Sequence, residues 1–321
     1  LKKDTLLMKI LDSATTRDAL PFPDLTAALR EMFVVGCHVP LRHTHKIATE
    51  SAEGTVLIMP AWQEDRYLGI KTVNIFSGNT THGLPGLHST YMLYDARTGV
   101  PLAQLDGDEI TSRRTAAASA LAASFLARKD STRMTLVGTG RVGKLVPQAY
   151  RAVLPIREVE VWSRNRASSE RLVEELAEQS FEARVVDDLA ASVARADIVT
   201  CATLATEPVV RGEWLAPGSH LDLIGSFTPA MREADDACFR SARIFVDTVE
   251  AFQKSGDLLG PLQRGVLSHP EQWPTLETLC REQARGRTNN DERTVFKSVG
   301  TALEDLAAAV LVYEAAARKA R

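Results

Sequence analysis

The stretch Met134-Thr135-Leu136-Val137-Gly138-Thr139-Gly140-Arg141-Val142-Gly143 decides the fold. It reads as a short buried strand running into G-x-G-x-x-G, with helix-compatible residues behind it. In that order the first glycine makes a tight turn, the second lets the backbone approach a pyrophosphate, and the third lets a new helix pack close to the strand. A glycine-rich surface turn would carry the glycines without the strand before them or the rhythm after them. The spacing therefore predicts a dinucleotide turn on Gly138, Gly140 and Gly143, with Arg141 and Val142 inside it.

Downstream, apolar runs at 134–137, 158–162, 183–186, 198–202, 220–224 and 243–246 alternate with helical or connecting segments such as 167–179 and 189–195. Such alternation argues for a doubly wound parallel sheet. Upstream, the chain reads as α+β. Leu25, Ala28, Leu29, Met32 and Phe33 recur at helical spacing over 24–35, and strand-like runs follow at 55–59, 67–73 and 89–95. The alanine-rich stretch 111–128 predicts a long connecting helix. A final helix over 299–319, with Leu303, Leu306, Ala307, Val310 and Leu311 on one side, is expected to return to the first region. The architecture expected is thus α/β: a Rossmann-type sheet over 115–293, inserted into a discontinuous α+β substrate and dimerisation domain formed by 1–114 and 294–321. The early strands are candidates for a dimer contact, because edge strands invite pairing.

The 321 residues suffice for two domains, and a formal net charge of −3 leaves no electrostatic footprint for nucleic acid or an anionic membrane. No apolar run approaches membrane-spanning length, and Leu1 to Met8 show no long apolar region or cleavage site. Cys37, Cys201, Cys238 and Cys280 are scattered, without a C-x-x-C pair, as in a reducing compartment rather than a disulfide frame or a metal site. The expectation is a cytoplasmic protein with small-molecule partners and no metal.

In a dinucleotide fold, the residue at the tip of the second strand reads the adenosine ribose, and a carboxylate there selects the free 2′-hydroxyl. Here Val159-Glu160-Val161-Trp162 ends in Ser163-Arg164-Asn165-Arg166. A hydroxyl and two guanidiniums suit a 2′-phosphate, so NADP(H) is favoured over NAD(H). Thr203 and the run Ile224-Gly225-Ser226 fall where such a sheet presents its carboxyl edge to ligand. Four basic residues also stand out: Arg42, Lys71, Arg113 and Arg114. Lys71 interrupts an apolar strand, and Arg114 is expected at the start of the alanine-rich helix, where a cation opposes the dipole. Either they bind an anion, or they pair internally with an acid such as Asp95, Asp106 or Glu109.

These pieces together resemble the ornithine cyclodeaminase/μ-crystallin family. The resemblance is carried by Gly69-Ile70-Lys71-Thr72-Val73, Thr98-Gly99-Val100-Pro101-Leu102-Ala103, Arg114-Thr115-Ala116-Ala117-Ala118-Ser119, Gly138-Thr139-Gly140, and Ala202-Thr203-Leu204-Ala205-Thr206-Glu207-Pro208. Thr294-Val295-Phe296-Lys297-Ser298-Val299-Gly300 and Ala302-Leu303-Glu304-Asp305 extend it over almost the whole chain. It implies a two-domain homodimer in which Arg42, Lys71 and Arg114 hold a substrate carboxylate, with Lys71 and Arg114 as the catalytic pair. It also implies that Gly140, Arg141, Ser163, Arg164, Asn165, Thr203, Gly225, Ser226 and Phe227 line the cofactor, with Ser298 and Val299 closing the site near the nicotinamide.

One position departs from the ornithine cyclodeaminases, which carry an Asp two residues before a Pro in the loop after the fifth Rossmann strand. Here the loop reads Gly225-Ser226-Phe227-Thr228-Pro229, and Phe227 can neither accept a proton nor stabilise an ammonium. The pattern is closer to the family's imine reductases. It implies NAD(P)H-dependent reduction of cyclic α-imino acids, Δ1-pyrroline-2-carboxylate and Δ1-piperideine-2-carboxylate, to L-proline and L-pipecolate. His43, His45 and Glu53 are candidates for a proton donor near Arg42. The alternatives are an ornithine cyclodeaminase, an alanine-type dehydrogenase, and a non-catalytic ligand-binding protein of the μ-crystallin type.

Overall fold

A computed structural model, which describes residues 8–48 and 53–319, divides the chain into two units: Leu1–Arg114 with Thr301–Arg321, and Thr115–Gly300. Residues 1–7 of the N-terminal stretch considered above lie outside the described residues.

In the first unit β1 (Lys9–Leu11), β2 (His43–Ala48), β3 (Glu53–Trp62), β4 (Tyr67–Phe76), β5 (Leu87–Asp95) and β6 (Pro101–Asp106) form one sheet. Its order is β1-β6-β5-β4-β3-β2, antiparallel except for β1 beside β6. The helix Phe22–Val35 begins two residues before the apolar periodicity, because Pro23 is tolerated in a first turn. It buries Phe22, Leu25, Leu29, Met32 and Phe33 and stops at Gly36, whose φ of 84° few other residues adopt. It packs on the final helix, Ala302–Lys319, which in turn lies on β3, β4 and β5. That helix starts at 302 rather than 299, since Gly300 has a φ of 78°.

Strand periodicity places the unit's polar site. Gly69, Lys71 and Val73 are buried along β4, and Ser89, Tyr91 and Leu93 along β5, while residues between them are less covered. Register sets Met59, Lys71 and Tyr91 side by side. Gly69 is obligatory there: a Cβ would lie 1.9 Å from the Tyr91 hydroxyl.

The connecting helix runs Gly107–Leu126, four residues earlier at its start than expected, with Asp106 Oδ1 accepting from the Glu109 N–H at 2.8 Å. Arg114 therefore sits two turns inside the helix, and the dipole argument for its strain does not apply.

In the second unit β7 (Arg133–Val137), β8 (Glu158–Trp162), β9 (Glu182–Val185), β10 (Ile198–Cys201), β11 (His220–Leu223), β12 (Ala242–Val246) and β13 (Arg293–Lys297) are all parallel. The order β12-β13-β11-β10-β7-β8-β9 reverses between β7 and β10, the switch point at which such sheets bind ligand. The sheet corrects one expected boundary. Residues 294–297 do not begin the returning segment; they form β13, inserted between β11 and β12, and the unit ends at Gly300. Five residues ending in Lys297 carry too short an apolar pattern to announce a central strand, yet Val295, Phe296 and Lys297 are buried.

His220 on β11 is fully buried. Its Nδ1 lies 2.9 Å from Thr294 Oγ1, whose own proton goes to the Leu126 carbonyl at 2.9 Å, so Nδ1 carries the hydrogen. Burial first, and Arg287 second, push its pKa down to about 3. The folded state therefore refuses a proton that the unfolded chain accepts below about 6.5, and stability falls on acidification through that window by roughly 1.4 kcal/mol per pH unit. Thermal unfolding between pH 7 and pH 4 should show this slope, and His220→Gln should flatten it; equal slopes in both proteins would remove His220 as the cause.

Candidate active site

The three glycines of the turn do three different things. Gly138 has a φ of 107°, and a Cβ on it would stand 2.5 Å from the Ala202 carbonyl, where β7 and β10 end side by side. Gly143 is pressed on the turn itself, 2.4 Å from the Gly138 carbonyl by the same measure. A Cβ on Gly140 would meet nothing within 4 Å: it faces open space. The glycine that backs onto ligand in this kind of turn is the one with no protein neighbour to justify it. The helix that follows is short, a turn of 3₁₀ at Gly143–Leu145 and then Val146–Arg151, because Pro147 is admitted only in a first turn.

The open space is a cleft of about 1170 Å³ along the carboxyl edge of the sheet. Gly138, Thr139 and Gly140 form one wall, Ser163, Arg164 and Asn165 a second, and the run from Ala202 to Val209 a third. Asn165 caps the helix Arg166–Glu178 by accepting from the Ser168 N–H at 3.2 Å, and Ser163 Oγ is held by the Asn165 carbonyl and Ser169 Oγ, both at 2.8 Å. The two guanidiniums assigned to a phosphate part company here. Arg166 pairs with Glu170 and Asp187, whereas Arg164 is exposed on the cleft and has no ion pair among the described residues.

The other expected cofactor residues lie at other depths. Arg141 is exposed, Val142 half-buried, and Phe227 46% exposed. Ser226 is fully buried, and its hydroxyl donates to the Met231 carbonyl at 2.6 Å, so only its backbone remains for a ligand. Ser298 Oγ is buried without a protein partner, the kind of group that a ligand or water satisfies. Val299 and Gly300 donate their N–H groups to Asp247 Oδ2 at 2.7 and 2.6 Å, which fixes the turn after β13.

In the first unit the cations are paired, but not with the nearby acids. Asp95 binds Arg97, Asp106 caps a helix, and Glu109 binds Arg17. The partners come from the final helix instead. Asp305 Oδ2 lies 2.6 Å from Lys71 Nζ, Asp305 Oδ1 accepts from Arg114 Nε at 2.9 Å, and Glu304 Oε2 accepts from Arg114 Nη1 at 2.6 Å. All four side chains are buried. Burial pushes the Lys71 ammonium down to about 8, opposed by Asp305 and helped by Arg114 and Arg42. Arg42 thus stands close enough for its charge to be felt at Lys71. Despite burial, Lys71 and Arg114 hold the Asp305 carboxyl below the usual range. Glu304 and Asp305 balance Lys71 and Arg114. Arg113 is directed elsewhere, donating to the Leu20 carbonyl at 2.9 Å and stacking on Phe22. His43 and His45 are exposed on β2, and the Glu53 side chain lies outside the described residues.

Glu304 and Asp305 stand in one of the strings that carry the family resemblance, but their pairing is not legible in the sequence, because they lie 190 and 191 residues from Arg114, within a helix that reads as apolar. Replacing Asp305 with Asn should cost about 3 kcal/mol in denaturant unfolding, since it takes the buried acid from Lys71 and one of two acids from Arg114. Gly140→Ala makes the opposite test: it should leave Tm unchanged while weakening dinucleotide binding at least tenfold, and an unchanged Kd would detach Gly140 from any ligand.

Residues 13–320 match the Ornithine cyclodeaminase/mu-crystallin family. The Delta(1)-pyrroline-2-carboxylate reductase of Paracoccus denitrificans is 39% identical over 289 residues, which cover 89% of this chain and 90% of that one. Among solved structures, the Delta(1)-pyrroline-2-carboxylate reductase of Thermococcus litoralis, in complex with NADH and L-proline, superposes with a TM-score of 0.91 at 32% identity, covering 98% of both chains. An archaeal alanine dehydrogenase dimer with bound NAD superposes with a TM-score of 0.89 at 29% identity, covering 98% of this chain and 97% of that one. The chain belongs to the ornithine cyclodeaminase/mu-crystallin family.

Proposed function

We propose that this protein reduces cyclic α-imino acids, Δ1-pyrroline-2-carboxylate and Δ1-piperideine-2-carboxylate, to L-proline and L-pipecolate with NAD(P)H. The observation that carries the reading is the likeness, over nearly the full length of both chains, to a reductase whose structure holds NADH and L-proline together. The glycine turn supports it, since Gly140 faces open space on a cleft of about 1170 Å³ that also reaches the strand tip at Ser163, Arg164 and Asn165.

When bound, the nicotinamide supplies a hydride to the imine carbon, and the ring nitrogen of the product keeps the proton carried by the iminium. The chain's part is to grip and orient. Arg42, Lys71 and Arg114 hold the substrate carboxylate. Arg114 has Nη2 to offer, because Nε and Nη1 are engaged by Asp305 and Glu304. Asp305 and Glu304 keep that fork from turning. Fixing the carboxylate fixes the imine carbon, and orientation of this kind supplies several kcal/mol of a barrier. Phe227 offers no base for an amine, which favours imine reduction over the deamination of ornithine. Ser298, Thr203 and the backbone at Gly225 and Ser226 complete the cofactor's surroundings.

NADP(H) is the favoured cofactor in this reading, with Arg164 and Ser163 taking the 2′-phosphate, and NAD(H) is the second. The protein works as a homodimer in the cytoplasm; no helix among the described residues is long and apolar enough to cross a membrane. A second reading, alanine-type dehydrogenation with NAD, is favoured by the archaeal alanine dehydrogenase likeness. A ligand-binding protein without turnover is the third.

NADPH and NADH oxidation should be followed against five- and six-membered cyclic imino acids, with ornithine, lysine and alanine in the reverse assay. Turnover of the imino acids supports the reading; ammonia from alanine or ornithine without imine reduction overturns it. Arg114→Ala should raise KM for the imino acid and lower kcat at least tenfold, leaving NADPH affinity nearly intact. Ser163→Asp should shift preference toward NADH, and an unchanged preference would end the 2′-phosphate assignment.

A further inference from the structure

Glu233 is fully buried, far from the cations of the first unit in sequence, and none of the roles above uses it. Its carboxylate stands between the ends of two adjacent strands. Oε1 accepts from the Thr203 N–H at 2.7 Å and from Thr203 Oγ1 at 2.8 Å, and Oε2 accepts from the Gly225 N–H at 2.7 Å. Thr203 follows β10 and lines the cleft, and Gly225 follows β11. The loops are also in backbone contact, for a Cβ on Gly225 would lie 1.9 Å from the Thr203 carbonyl.

Glu233 is itself fastened. Its N–H and that of Ala234 donate to Asp257 Oδ1 at 2.8 and 3.1 Å, and the Asp257 N–H donates to Ser226 Oγ at 3.2 Å. Beneath these acids lies one fully buried cation, Lys297 at the end of β13, which donates to the Leu223 carbonyl at 2.8 Å and lies 3.9 Å from Asp257 Oδ2. Three donors from two loops converge on one side chain, and all are backbone N–H or hydroxyl. Only a group that accepts at both ends satisfies them. A glutamine has the same shape but turns an NH2 toward either Thr203 or Gly225, setting donor against donor in a dry site.

We infer that Glu233 is a positioning residue for the cofactor: it locks the loops after β10 and β11 into the spacing the bound dinucleotide requires, with Asp257 and Lys297 holding it in place. The inference rests on the nicotinamide-dependent reading above. It also gives Lys297, inside the Thr294–Gly300 string, a task distinct from that of its neighbours Ser298 and Val299.

The test uses the full chain and two nearly isosteric variants, Glu233→Gln and Thr203→Val, with NADPH binding measured by fluorescence titration beside steady-state kinetics. Glu233→Gln should weaken NADPH binding at least tenfold and raise its KM in step. At saturating NADPH, KM for the imino acid should stay within about twofold. Thr203→Val, which removes one of the three donors and keeps the volume, should move NADPH binding the same way by a few fold. A structural role alone would lower Tm without this separation of the two KM values. NADPH binding within twofold of the parent in Glu233→Gln, or an effect on the imino acid instead, overturns the inference. Should Glu233→Gln fail to fold, Glu233→Asp, which keeps the charge but is too short to reach both loops, decides by the same criterion. A parent protein that binds neither NADPH nor NADH overturns the functional reading together with this one, whereas a binding parent with an unaffected variant overturns this one alone.

Discussion

A charge taken out of water must be answered by an opposite charge or by hydrogen bonds, and that requirement organises both units of this protein. In the first unit Asp305 answers Lys71 and Arg114 at once, and Glu304 takes a second arm of Arg114. The four groups are buried together beside the sheet, two cations with two acids. In the second unit the polarity is reversed. Acids outnumber the one buried cation, Lys297, and two of them, Glu233 and Asp247, accept from backbone N–H groups of the loops at the carboxyl edge.

That reversal gives the loops after β10, β11 and β13 a common mechanical basis. Each is fixed by a buried carboxylate, Glu233 for the first two and Asp247 for the third. A carboxylate does this better than a hydroxyl or an amide, because it accepts several hydrogen bonds and donates none. Loops held in this way keep one conformation without contributing their own side chains to the holding. Ser298, whose hydroxyl is buried without a protein partner, shows the result: a polar group kept in place and left for something else to satisfy.

The same economy appears at the glycine turn. Gly138 and Gly143 are glycine because the backbone of the protein itself crowds them, at Ala202 and at the turn carbonyl. Gly140 is glycine although nothing in the protein crowds it. Two of the three positions therefore answer to crowding within the fold, and the third faces open space.

Local pattern alone settled the parallel sheet, the glycine turn, the strand-tip group Ser163-Arg164-Asn165 and the singular placement of Lys71 in an apolar strand. These follow from periodicity and turn chemistry, which act over a few residues and are written in a few residues. Tertiary structure decided the rest. It paired Lys71 and Arg114 with acids from the far end of the chain rather than with Asp95, Asp106 or Glu109. It inserted β13 into the middle of the second sheet, separated Arg164 from Arg166, and put Glu233 between two loops. Each of these depends on which segments become neighbours in space, and a side chain's pairing partner is set by that proximity, not by its distance along the chain.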